Sequence, residues 1–127
     1  MPTVADDYVQ IITANQIRDL NAHYSNWVTA TWLNGISFVI DNTLDQNVTV
    51  QIQGNYIGWP IAAANIRPVN IGAPLAVVTN TKGGIGVHRT STFWLPFYRV
   101  EITAVLLPAA GQIDVYAVRE TREIGGG

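Results

Sequence analysis

A chain of 127 residues with 48% hydrophobic residues is long enough to fold as one domain around a single core. A net charge of −2 and seven scattered cations exclude the concentrated basic face that nucleic-acid binding requires. The absence of cysteine excludes a disulfide framework and a thiolate metal site. Only 13% of the residues are charged, against about 25% in average soluble domains, which indicates that part of the surface is covered by another molecule.

The N-terminal 33 residues contain apolar anchors with weak periodicity. The chain starts without the basic and apolar stretches of a signal peptide, and no apolar run approaches the ~20 residues that cross a bilayer. We therefore expect synthesis in the cytoplasm and no membrane partner. Residues 17–24 predict a turn or two of helix. The segment 1–33 is either an arm that packs on a neighbouring molecule or the first strands of the domain, and the pattern leaves both interpretations open.

The clearest signal in the first half of the chain is a two-residue alternation between apolar positions and positions that are polar except at Val39. It runs over 36–41 and again over 48–53, with the turn-forming residues 41–47 between the two runs. A period of two residues is typical of a strand with one buried face, so the alternation predicts two antiparallel strands. The turn chemistry between them predicts that they form a hairpin.

The middle of the chain is irregular. Glycine and proline interrupt residues 54–68, and short strands are predicted at 69–71 and 75–79. The glycine-rich stretch 80–86 predicts a turn, and a further strand is expected over 87–95.

The second half repeats the alternation of the first. Residues 98–107 and 112–120 alternate on either side of Pro108–Gly111, which predicts a second hairpin. The glycine-rich residues 123–127 are expected to form a flexible tail. The resulting fold class is all-β: an antiparallel β-sandwich, jelly-roll-like, or a barrel of about 7–8 strands. Residues 34–122 form this domain, and 1–33 are its N-terminal extension.

Two groups of residues are candidates for metal ligands. Asp41, Asp45 and Asn47 share one turn, but the bidentate glutamate that completes a calcium loop is missing, so they are expected to cap their own backbone. His23 and His88 are too few for a zinc site without cysteine. We expect no metal and no cofactor.

Catalytic motifs are equally weak. Gly83–Gly86 resembles a phosphate cradle only in its glycines, because the expected strand rather than a helix follows it. A nucleophile triad could be composed around His88, but no nucleophile elbow supports it. The sequence predicts that the protein is not an enzyme.

The four tryptophans leave an alternative function open. Together with Tyr56 and Tyr98, they could form a stacking platform for sugars, and Trp59 in the Pro/Gly-rich loop is the best candidate for it. Trp and Tyr are also enriched in protein–protein interfaces. The alternative is a carbohydrate-binding or adhesive module with a glycan partner.

A resemblance to a family rests on strand and turn patterns that cover residues 36–120. The first half reads Val39-Ile40-Asp41-Asn42-Thr43, followed by Val48-Thr49-Val50-Gln51-Ile52-Gln53-Gly54-Asn55. The second half reads Tyr98-Arg99-Val100-Glu101-Ile102-Thr103-Ala104, followed by Pro108-Ala109-Ala110-Gly111-Gln112-Ile113-Asp114-Val115-Tyr116. This pattern resembles small β-sandwich structural proteins of bacteriophages and other prokaryotic viruses.

The resemblance implies a non-enzymatic virion component, either a capsid decoration (cement) protein or a small tail- or fibre-associated subunit. We therefore expect a homo-oligomer, a trimer, with itself and other virion proteins as partners and the virion as its location. Low charge and an excess of aromatic residues favour such an assembly independently. The predicted contact residues are Tyr8, Ile12, Trp27, Trp32 and Trp59.

Overall fold

The computed structural model describes residues 4–56, 68–89 and 94–122. Its strands are β1 (Val4–Asn15), β2 (His23–Tyr24), β3 (Val28–Thr29), β4 (Gly35–Asn42), β5 (Val48–Asn55), β6 (Val69–Val77), β7 (Thr81–His88), β8 (Phe97–Ala104) and β9 (Ile113–Arg122). The predicted helix over 17–24 is wrong, because a loop with the buried anchor Ile17 leads directly into β2. The described part of the chain contains no helix of the length and apolarity that a membrane crossing needs.

The strands form two antiparallel sheets. Sheet A has the order β1-β9-β4-β7, and sheet B has the order β2-β8-β5-β6, with β3 also pairing with β8. Because β2 and β3 are two short pieces along the same side of β8, the sheets have eight strand positions. Apart from β5 and β6, consecutive strand positions alternate between the sheets, as in a jelly roll. The predicted antiparallel β-sandwich is confirmed.

Both predicted hairpins are wrong. β4 lies in sheet A and β5 in sheet B, and β8 lies in sheet B and β9 in sheet A. The connections 43–47 and 105–112 are therefore arches that cross from one sheet to the other. The alternation identifies a strand with one buried face, but it does not say which strand lies beside it.

The two arches lock together at one end of the sandwich. The Thr43 amide donates to the Gln112 carbonyl at 2.9 Å, and the Asp45 amide donates to the Ala110 carbonyl at 3.1 Å. Gly111 has a φ of 87°, and a Cβ on it would overlap the Thr43 carbonyl. Glycine is needed here both for its backbone conformation and for the close approach of the arches.

The core lies between the two sheets and is built from alternate residues of the central strands. Side chains at 0–1% exposure include Phe38, Ile40, Val50, Ile52, Val100, Ile102 and Val115. Leu44, in the first arch, is also fully buried. The apolar residues of the alternating runs therefore face one another across the sandwich, which is the main source of its stability.

The N-terminal segment contributes strands to both sheets of this chain. β1 pairs with β9 from Val4 opposite Arg122 to Asn15 opposite Ile113, and β2 and β3 pair with β8. This arrangement corresponds to the interpretation of the segment as first strands. The predicted tail, 123–127, lies outside the described residues.

The glycine-rich stretch differs from its prediction. The turn between β6 and β7 is confined to residues 78–80, and Gly83–Gly86 are part of β7 rather than a turn. A Cβ on Gly83 would lie 2.8 Å from Val77, and one on Gly86 would lie 2.9 Å from the Ser37 hydroxyl. These two glycines allow the side chains of Val77 and Ser37 to pack directly against the backbone of β7. The strand predicted over 87–95 accordingly begins earlier and ends at His88.

Candidate functional site

The most organised polar feature of the surface is an arginine held between two aromatic rings on the outer face of sheet B. The Arg99 Cζ atom lies 4.1 Å from the centroid of the Tyr24 ring and 4.4 Å from that of Trp27. Both distances are in the range of cation–π contacts. We call these three residues the aromatic clamp.

The break between β2 and β3 positions the two rings. Inside the break, the Ser25 amide donates to the Val100 carbonyl at 3.0 Å, and the Val100 amide donates to Ser25 Oγ at 3.0 Å. The serine side chain thus replaces a backbone acceptor and keeps the segment bonded to β8. Tyr24 and Trp27 flank this point and are held next to Arg99.

A buried amide on the neighbouring strand β5 fixes the guanidinium. Arg99 Nε donates to Gln53 Oε1 at 2.9 Å, and Gln53 Nε2 donates to Asn70 Oδ1 at 3.1 Å. Gln53 is only 8% exposed. The chain of hydrogen bonds crosses β8, β5 and β6, so the guanidinium is held in one orientation before any ligand arrives.

The clamp is positively charged at neutral pH. Burial lowers the pKa of Arg99, and this is opposed by nearby Tyr24 and Glu101, yet an arginine remains protonated. Burial and a hydrogen bond to Glu101 raise the pKa of Tyr24, so its hydroxyl stays neutral. Among the described residues, no carboxylate lies within the 4.0 Å of an ion pair with Arg99.

The second candidate feature is the edge of sheet A that β7 forms, opposite the edge formed by β1. β7 pairs with β4 along all eight of its residues, and within the described residues no strand pairs with its other side. Lys82 is its one permanently charged residue. Edge strands with few charges and with neither bulges nor prolines are sites where other chains pair.

The corresponding edge of sheet B is protected. β6 contains Pro74 and a register shift, with Gly72 at a φ of 70°. The Gln51 amide group donates to the Ile71 and Gly72 carbonyls at 3.1 and 3.2 Å. Bulges and prolines of this kind prevent edge pairing, so the two neighbouring edges differ in what they offer a partner.

A third feature is an apolar surface at the end of the sandwich where the arches meet. Val78, Val105, Leu106 and Leu107 are more than half exposed. Asn47 links the two segments, because its carbonyl accepts from the Val105 amide at 2.9 Å and its side chain accepts from the Thr79 amide at 3.0 Å. We call these four apolar residues the apolar end.

Of the five predicted contact residues, the structure describes four, which lie in β1, before β3 and in the turn before β4. Tyr8 lies in β1 opposite Val118, and Trp59 is outside the described residues. Ile12 is 8% exposed and belongs to the core of its own chain, which leaves it little surface for a partner. Trp27 is part of the aromatic clamp. Trp32, in the turn before β4, is 85% exposed.

Two of the candidate metal ligands, Asp45 and Asn47, accept hydrogen bonds from backbone amides. Asp45 Oδ1 accepts from the Ala109 amide at 3.0 Å, and Asn47 accepts as described above. Among the residues whose positions are described, no group of three or more His, Cys, Asp or Glu could hold a metal ion. His23 bonds to Asp19 at 2.8 Å, and this hydrogen bond lowers the pKa of Asp19.

Ser37, His88 and Glu120 line one shallow pocket of about 210 Å³ on the outer face of sheet A. The His88 Nδ1 to Glu120 Oε1 distance is 4.0 Å, which is too long for a hydrogen bond. His88 is also largely exposed. The carboxylate therefore does not orient the imidazole in the way that a general base requires.

Sequence reasoning missed Tyr24, Gln53 and Arg99. The one available signal was that Arg99 and Gln53 occupy polar positions of alternating strands, which places them on an outer face. Their pairing across β5 and β8, and the approach of Tyr24, depend on contacts distant in sequence.

Comparisons with known proteins show a likeness of fold. No protein-family model matches the chain, and no curated protein matches it significantly. The chain is similar to one from a solved structure of Bacillus endospore appendages, which form a family of disulfide-linked pili. The TM-score is 0.52 and the identity 17%, over 95% of this chain and 90% of that chain. This similarity supports the β-sandwich assignment.

Proposed function

We propose that the protein is a non-enzymatic structural subunit that associates with copies of itself through the open edge of β7. The observation that carries the proposal is the uninterrupted eight-residue edge strand, which has one permanent charge and neither proline nor bulge.

Alternate residues of β7 direct their main-chain N–H and C=O groups away from β4, to the side where a partner strand could pair. The Arg89 amide donates to the Asn34 carbonyl at 2.8 Å, just beyond the end of the β4–β7 ladder. Because main-chain groups alternate sides along an antiparallel strand, those of Gly84 and Gly86 face away from β4. A strand of a second copy placed there would satisfy them.

The likeness to a chain of disulfide-linked pili supports self-association, because that protein forms an extended assembly. The present chain has no cysteine in its 127 residues. An assembly of this sequence is therefore held by strand pairing and side-chain packing rather than by disulfides. The low charge and the apolar end add surface that a partner copy would cover.

The setting that we propose is the particle of a prokaryotic virus, as the strand-and-turn resemblance implies, with a trimer as the associated form and other virion proteins as further partners. A trimer forms if the rotation that relates neighbouring copies returns to the first copy after three steps. If the rotation does not return, the same contact gives an open filament. Light scattering after gel filtration separates the two outcomes. A mass of three 13.9 kDa chains supports the trimer, and a polydisperse polymer contradicts it but retains self-association.

The experiment that tests the edge is Gly84→Lys. A Cβ at Gly84 has only the Phe38 carbonyl near it, at 3.8 Å, so the side chain fits without disturbing β4. A lysine on the edge strand opposes pairing with another chain. We expect the native mass to fall to that of a monomer while the circular dichroism spectrum stays unchanged.

The matched control is Gln16→Lys, which adds the same charge to an exposed position in the loop before β2. It should keep the wild-type mass. A wild-type protein that is monomeric at all concentrations and in the presence of its particle would overturn the proposal, as would an oligomer that Gly84→Lys leaves intact.

A further inference from the structure

We propose that the aromatic clamp is a binding site for the carboxylate of an acidic sugar, that is, a hexuronate residue of a glycan. The inference rests on the geometry around Arg99 and is independent of self-association through β7.

The guanidinium offers one defined set of donors. Its Nε–H donates to Gln53 Oε1, and its Cζ lies 4.1 and 4.4 Å from the centroids of the Tyr24 and Trp27 rings. The remaining donors are the N–H groups of the two Nη atoms, at the end of the fork. Two parallel N–H groups match the two oxygens of a carboxylate, and a bidentate pair is among the strongest polar contacts in proteins.

The fork is preorganised rather than mobile. A free arginine side chain loses rotamer entropy when it binds an anion, but Arg99 is already held by two rings and by the buried Gln53. A site of this kind binds more tightly because the ordering cost is met during folding.

The surrounding groups select a sugar acid rather than a simple carboxylate. Tyr24 is 49% exposed and presents apolar ring surface beside the fork. Glu101, two positions along β8, bonds to the Tyr24 hydroxyl, and Asn70, two strands away on the same outer face, accepts from Gln53 Nε2. In the proposed complex, the second oxygen of Glu101 and the amide nitrogen of Asn70 are the groups that sugar hydroxyls would use. A hexuronate combines a carboxylate, hydroxyl groups and an apolar ring face in one residue, as a site of mixed polar and aromatic character requires.

The test is titration with a short oligogalacturonate, followed by the NMR signal of the Arg99 Nε–H and by calorimetry. The methyl ester of the same oligomer is the matched ligand control, because it keeps the ring and the hydroxyl groups but removes the charge. We expect saturable binding of the acid and at least a tenfold weaker affinity for the ester. Acetate should also bind at least tenfold more weakly.

Two protein variants complete the design. Arg99→Lys keeps the charge but loses the fork and should weaken binding at least tenfold. Lys82→Met removes an exposed positive charge from sheet A and should leave binding unchanged. Should Arg99→Lys fail to fold, Tyr24→Leu tests the ring wall while retaining the fork, and it should weaken binding severalfold.

Several outcomes would overturn the proposal. If the acid and its ester bind with equal affinity, the guanidinium fork does not take part in binding. If acetate binds as tightly as the oligogalacturonate, the site recognises a carboxylate but not a sugar. If Arg99→Lys and Lys82→Met lose the same amount of binding affinity, the ligand is attracted by the overall positive charge and not by the clamp. Absence of binding by the folded wild-type protein would remove the site altogether and would leave the β7 proposal untouched.

Discussion

Replacing Leu44 by alanine should strongly destabilise the protein, because its side chain lies between the sheets and not on an exposed turn. Leu44 is 0% exposed in the arch between β4 and β5. A fully buried Leu→Ala change costs about 3 kcal/mol or more through lost burial and the cavity left behind. The unfolding entropy of a 127-residue domain is about 0.27 kcal/mol per kelvin, so the melting temperature should fall by about 11 °C.

The measurement is thermal and urea unfolding followed by circular dichroism. Leu20→Ala is the matched control, because the same substitution is made at a loop position that is 54% exposed. Its cost should stay within about 0.5 kcal/mol. If both variants behave alike, Leu44 is on the surface, and β4 and β5 would then form the hairpin that their sequence suggests. The arch geometry would be refuted.

The remaining predictions concern two hydrogen bonds of β8. Ser25→Ala removes the acceptor of the buried Val100 amide and should cost about 1–3 kcal/mol in urea unfolding; an unchanged stability would mean that the break between β2 and β3 does not depend on this contact. Tyr98→Phe tests a pH dependence, because burial raises the pKa of Tyr98 above its usual value, an effect partly offset by the Leu95 amide. The unfolded tyrosine ionises near pH 10 while the folded one keeps its proton, so wild-type stability falls as the pH rises above about 10. The variant should lose less stability than the wild type above about pH 10, and identical slopes of unfolding free energy against pH would contradict this.

The strands of the core could be predicted because their signal is local. The alternations over 36–41, 48–53 and 112–120 each correspond to an observed strand with the expected inward face, whereas the alternation over 98–107 holds only as far as Ala104, and Leu106 beyond it is 61% exposed in the arch. Hydrophobic burial acts on each side chain separately, so a run of six residues contains enough information to show which face is buried.

The glycine-rich run illustrates where local chemistry fails. Gly83–Gly86 has a composition that favours turns, yet it lies in β7, where Gly83 and Gly86 leave room for the side chains of Val77 and Ser37. A glycine serves a turn and a close contact equally well, and only the neighbouring strand distinguishes the two.

The sequence by itself determined an all-β chain, its inward faces and the absence of disulfides. The tertiary structure decided that alternating strands are joined by arches between the sheets rather than by hairpins, that β7 is left as an open edge, and that Arg99 lies between Tyr24 and Trp27. The physical reason is that burial is a property of each residue and its period, whereas pairing depends on contacts between residues far apart in the sequence, such as Ser25 and Val100, which are 75 positions apart. The candidate sites arise from such contacts, so they became visible only in the folded chain.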